Sequence, residues 1–147
     1  MICEPLELEY VASSLLQKGQ EVDLVDMLLE KKPLKWFLQQ KDYDMVCMTA
    51  YITCVCVVKE YAKIVKQYHP NIITCVGGVH AEVVPNDFVD ENIDYILWAN
   101  GVQTLVDMVE SYPDMSVENL PGVYLPGREK PPIVNGMLPF QIGRAHV

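Results

Sequence analysis

Three short runs, "YDMVCMTAY" (43–51), "NIITCV" (71–76) and "IDYILWA" (93–99), are largely apolar at successive rather than alternate positions. Strands of that kind are buried on both faces, the condition of a parallel sheet covered by helices on each side. The intervening stretches match. Val58, Tyr61, Ala62, Val65 and Tyr68 fall on one helical face that stops at His69 and Pro70, and Val102, Leu105, Val106, Val109 and Tyr112 fall on another. Upstream, Leu8, Val11, Ala12, Leu15 and Leu16 repeat at helical spacing and end at Gly19, a natural C-terminal cap. "EVDLVDM" reads as a further strand ending near Asp26, followed by a partly helical stretch through "KKPLKWFLQQ"; a short helix is expected from about Asn86. The order implies an α/β fold with a doubly wound, Rossmann-like parallel sheet of the flavodoxin-like type.

At 147 residues the chain suits one domain and one core. With 11 basic against 20 acidic residues and a net charge of -9, it lacks the positive surface that nucleic acid requires, and no nucleic acid partner is expected. No apolar stretch approaches the roughly 18 to 20 residues of a transmembrane segment, and "MICEPLELEY" has neither part of a signal peptide, so the expected location is cytoplasmic. Five cysteines, Cys3, Cys47, Cys54, Cys56 and Cys75, have no C-x-x-C spacing; reduced, mostly buried thiols are expected rather than disulfides or a zinc site.

Both ends carry expectations. The first helix starts almost at Met1, where a doubly wound sheet normally places a preceding central strand, so the sheet is expected to lack its first strand. After Pro113, "LPGVYLPGREKPPIV" reads as a hairpin or connector, giving a domain over residues 1–113 and a hairpin and linker over 114–141. The last six residues, "IGRAHV" (142–147), translate ATCGGAAGAGCACACGTC, which is similar to a sequencing-library adapter, and are expected to be an artefact.

Ligands of doubly wound sheets sit beyond the carboxyl ends of the strands. "EPLELEY" has no G-x-G-x-x-G, no Walker loop occurs, and Thr49 stands where a phospho-acceptor domain would place an aspartate. What stands out is "VGGVHAEVVP" (76–85), where Gly77 and Gly78 let a bulky group lie against the backbone. The same glycines also suit a plain strand-to-helix turn, Thr49 also suits a helix cap, and Asp26 reads as a cap or turn residue. Met27, Leu28 and Leu29 read as core or helix-packing surface, as does the stripe of Tyr61, Val65 and Tyr68, and Trp98 reads as core ahead of a pocket lining at its strand end.

The succession "EPLELEYVASSLLQKGQEVDLVD", "YDMVCMTAY", "VGGVHAEVVPNDF", "IDYILWANGVQTL" and "LPGVYLPG" resembles the N-terminal cobalamin-binding domain of B12-dependent radical S-adenosylmethionine enzymes, over residues 4 to about 140. The final "LPF" resembles the start of that family's connector into a catalytic barrel. The resemblance implies that cobalamin lies on the carboxyl edge with its nucleotide tail entering the domain. By position, Glu4, Pro5 and Leu6 match the loop beneath the corrin ring, and Thr49, Ala50 and Tyr51 match a turn that hydrogen-bonds the tail. Gly77, Gly78, Val79 and His80 match a G-G-x-H turn beside it. Ala99, Asn100 and Gly101 stand where the family commonly has Gly-Glu-Gly-Glu, a departure that removes both acids.

No Asp-x-His-x-x-Gly motif is present, so a protein histidine is not expected to ligate the cobalt, and His80 is a neighbour of the tail. The Cys-x-x-x-Cys-x-x-Cys loop that holds a 4Fe-4S cluster is also absent. The cluster and S-adenosylmethionine are therefore expected only in a missing downstream radical SAM domain, which would be this domain's partner in a methyltransferase or cyclase. The competing expectation is a degenerate α/β interaction domain that has lost the cofactor.

Overall fold

A computed structural model describes residues 6–49 and 54–132. Of the positions singled out above, Cys3, Glu4, Pro5, Ala50, Tyr51, the later part of the linker and the 142–147 tail lie outside the described residues, and Leu6 is described by its backbone alone.

The first helix, α1 (Leu6–Gln17), ends where the amides of Gly19 and Gln20 return to the Leu16 and Leu15 carbonyls, with Gly19 at φ 80°. After a five-residue helix, α2 (Leu34–Leu38), three βα units follow: β1 (Met45–Thr49) with α3 (Val55–Tyr68), β2 (Ile73–Gly77) with α4 (Val79–Val83), and β3 (Tyr95–Ile96) with α5 (Gly101–Ser111). The strands form one parallel sheet in the order β1-β2-β3.

Alternation along β2 divides the core. Cys75 faces a cluster containing Leu15 of α1 and Leu105, Val106 and Met108 of α5, whereas Val76 faces Val58 and Ala62 of α3, Ala81 of α4 and Phe88. The sheet is covered on both sides, as the apolar runs require. At the amino end of β2, the Asp94 carboxylate accepts hydrogen bonds from the Thr74 amide and hydroxyl and from Lys66 Nζ, whose ammonium also donates to the Ile72 carbonyl.

Four expectations change. "EVDLVDM" forms no strand and joins no ladder; its Asp23 instead accepts hydrogen bonds from Lys41 and from the Tyr43 hydroxyl at 2.6 Å. Leu28 and Leu29 are 87% and 62% exposed rather than core, because Asp26 folds the chain into a turn by accepting the Leu28 amide on its side chain and the Leu29 and Glu30 amides on its carbonyl. The helix expected near Asn86 begins earlier, at Val79, because Gly78 turns the strand directly into it; Pro85–Phe88 is a single 3-10 turn. Finally, β3 has only two ladder residues, because Leu97 pairs antiparallel with Val123 and Trp98 N–H donates to the Gly122 carbonyl.

β1 is the edge of the sheet among the described residues, and all five of its residues are half-buried. Because the Asp44 carbonyl accepts the Ile73 amide, the period of the ladder turns the backbone polar groups of Met45, Cys47 and Thr49 away from β2. The segment after Pro113 belongs to the core: Met115, Leu120 and Val123 are buried in the α1/α5 cluster, and the Arg128 guanidinium donates to the Val117, Leu120 and Val123 carbonyls.

Burial and the Asp23 carboxylate push the Tyr43 hydroxyl from 10.0 up to about 12. The folded state therefore holds this proton more tightly than the unfolded chain, so the stabilisation is full below pH 10 and is lost as pH rises towards about 12. Since the pair is substantially exposed, the loss should stay below about 1 kcal/mol. Urea unfolding at pH 9 and pH 11.5 should show a fall that is smaller in Tyr43→Phe.

Candidate functional site at the carboxyl edge

Three strand ends converge at the carboxyl edge of the sheet. Thr49 and Gly77 are direct register partners, and a Cβ built on Gly77 would rest in ordinary contact with Leu97, 3.7 Å away, just beyond β3. The turn that follows is built on backbone conformation. Gly78 has φ 105° and ψ 175°, a region essentially reserved for glycine, and it directly precedes α4. Gly78 also anchors α4, its carbonyl accepting the Glu82 amide.

Beyond the glycines the side chains divide. Val79 is 58% exposed and, with Val83 one turn further on, gives α4 an apolar outer stripe beside the turn. His80 points inward and is 8% exposed; its Nε2 lies 2.7 Å from Asp87 Oδ2, and its ring meets Phe88 edge-on at 5.6 Å between centroids. Asp87 thus sets the orientation of the imidazole and commits one ring nitrogen. This partner had no sequence signal, since the two stand seven positions apart with Pro85 between them, in separate short helices rather than on one helical face.

The third group enters α5. Asn100 is left-handed, with φ 50° and ψ 49°, and its side-chain amide donates to the Pro132 carbonyl at 3.1 Å. Ala99 is fully buried and its carbonyl accepts the Thr104 hydroxyl, so Asn100 and Gly101 are the members of this trio that reach the surface. Trp98 is core, as expected, packed edge-on against Tyr124. Alongside, Lys130 Nζ donates to the Glu82 carbonyl at 2.7 Å, tying the segment after Val123 to α4. The structure therefore brings Thr49, Gly77, Gly78 and Val79 together at the carboxyl ends of β1 and β2, with the buried His80 behind them.

A hollow of about 170 Å³ beside α5, lined by Asn100, Gln103, Asp107 and Pro121 among others, falls below the roughly 300 Å³ of even small cofactor sites. Among the described residues no three His, Cys, Asp or Glu side chains come together as a metal site, and no helix is long and apolar enough to cross a membrane.

The family model of the B12 binding domain matches residues 1–109. The chain belongs to the B12-binding domain family. It is 32% identical over 137 residues to the hopanoid C-3 methylase of Methylococcus capsulatus, covering 88% of this chain and 26% of that protein. It is 25% identical over 114 residues to the anaerobic magnesium-protoporphyrin IX monomethyl ester cyclase of Cereibacter sphaeroides, covering 74% of this chain and 19% of that protein. The chain thus spans about a quarter or less of the curated relatives it matches. No solved structure matches it. In this B12-binding domain the glycine-only turn at Gly78 directly follows the carboxyl end of β2.

Proposed function

We propose that this B12-binding domain holds cobalamin for a B12-dependent radical SAM enzyme of methyltransferase or cyclase type, whose catalytic barrel follows the 114–141 segment. The observation that carries the site is Gly78, whose backbone occupies a region closed to other residues at the point where the sheet meets the ligand edge. The nucleotide tail passes over Gly77 and Gly78, with Val79 giving apolar contact and Thr49, Asn100 and Gly101 supplying polar or backbone groups. Glu4, Pro5, Leu6, Ala50 and Tyr51 complete the proposed set by their place in the sequence. His80 acts through the turn, held by Asp87, and Ala99 contributes packing.

The names of the two relatives, a methylase and a cyclase, support the two reaction types. Bound cobalamin would supply methyl transfer or take part in a radical cyclisation, with the iron-sulfur cluster and S-adenosylmethionine in the downstream domain. The residues of this chain bind, orient and shield.

Mixing the purified protein with hydroxocobalamin should change the visible spectrum of the cofactor and carry its absorbance through gel filtration with the protein. Failure of both this chain and a version extended upstream along its genomic reading frame would favour a degenerate interaction domain, to which the loss of both acids around Asn100 would then belong.

A further inference from the structure

Cys47 of β1 and Cys75 of β2 are register partners on neighbouring parallel strands, on the face of the sheet covered by α1 and α5. Their sulfurs lie 2.8 Å apart, and both are free thiols. Adjacent strands are about 4.8 Å apart, inside the roughly 4.4 to 6.8 Å window of Cα separations that a disulfide spans without moving the backbone. Cys75 is 0% exposed, whereas Cys47 is half-buried on the sheet edge and is the reachable member.

We propose that Cys47 and Cys75 form a dithiol modification site that reacts with low-molecular-weight disulfides, of which glutathione disulfide is the type, to cross-link β1 to β2. The thiolate of Cys47 attacks one sulfur of glutathione disulfide, forming a mixed disulfide and releasing one glutathione thiolate. Cys75 then gives up its proton and attacks the Cys47 sulfur, closing the protein disulfide and expelling the second glutathione. The protein loses a pair of electrons and a pair of protons, and glutathione disulfide becomes two glutathione molecules. The neighbouring Cys47 sulfur and complete burial push the Cys75 thiol well above the ordinary range, which makes closure the slow step.

The placement has a consequence for the carboxyl edge. Two residues beyond this pair stand Thr49 and Gly77, themselves register partners, so the cross-link would fix the strand register immediately beneath the glycine turn. This site depends only on the two strands, so it stands or falls independently of cobalamin binding.

The test incubates reduced protein with glutathione disulfide at pH 8, alkylates the remaining thiols after unfolding, and maps peptides without reduction. The expected product is a Cys47 peptide linked to a Cys75 peptide, lighter by a pair of hydrogens and reversed by dithiothreitol. In Cys75→Ser, Cys47 should instead accumulate as the glutathione mixed disulfide. Glutathione on Cys56 alone, or full alkylation of Cys47 and Cys75 in the otherwise native protein, would overturn the proposal.

Discussion

Gly78→Val is expected to weaken hydroxocobalamin retention by at least about tenfold, while His80→Ala leaves it within about threefold. At φ 105° and ψ 175° the Gly78 backbone lies where a side chain costs about 1 to 3 kcal/mol, and a branched Cβ stands where the tail is proposed to pass. Either the variant keeps the turn and obstructs the ligand, or it relaxes the turn and displaces Val79 and the start of α4. Both routes act on binding. His80 faces the other way: its ring is held by Asp87 and Phe88, so truncation removes packing behind the turn rather than a group on the ligand edge. Spectral titration of both variants, with folding checked by circular dichroism, measures the order. Gly78→Ala separates the two causes, because it imposes the backbone strain with almost none of the bulk. A larger loss in His80→Ala than in Gly78→Val would return the histidine to the role of a direct ligand contact.

The parts of the fold that were legible in the sequence are those set by local periodicity. α1, α3 and α5 follow their apolar stripes, and Gly19 ends α1 as its position suggested. β1 and β2 coincide with runs apolar on both faces, and the alternation of Cys75 and Val76 into opposite core clusters shows why such runs are not amphipathic. What periodicity does not encode is pairing. "EVDLVDM" has the composition of a strand, yet strand character is a relation to a neighbour, and among the described residues it pairs with none. Leu28 and Leu29 look like core by composition, but the side chain of Asp26 organises a turn that leaves them in solvent.

At the site, the glycines were legible because glycine is the residue that releases backbone conformation, and the observed Gly78 angles give that release a purpose. The direction of His80 was not, because it depends on a carboxylate across an intervening proline turn. Nor was the burial of Ala99, which follows from the way the first turn of α5 receives the segment after Leu120. That segment looked like a connector by its prolines and glycines, whereas Met115, Leu120 and Val123 lie in the same cluster as α1 and α5.

Gly122→Ala tests that docking and should be strongly destabilising. A Cβ at Gly122 would collide with the Thr104 hydroxyl and with the Ala99 carbonyl. The Ala99 carbonyl is backbone fixed by its bond from Thr104, so the strain cannot be relieved by rotating one side chain. Around it, Trp98 N–H donates to the Gly122 carbonyl and Tyr124 N–H donates to the Ile96 carbonyl, which keeps the segment from backing away. Overpacking at such a contact costs about 1 to 3 kcal/mol, and with two hard contacts the upper figure is expected. For a domain whose whole stability is about 5 to 15 kcal/mol, that is a large share, and the melting temperature should fall by about 10 °C. Thr104→Ala in the same chain removes the hydroxyl collision and also releases the Ala99 carbonyl that the hydroxyl holds, so the double variant should be more stable than the sum of the single losses predicts. A Gly122→Ala protein that melts with the wild type would show that the segment is free to move away from α5, and that its buried residues do not hold it there.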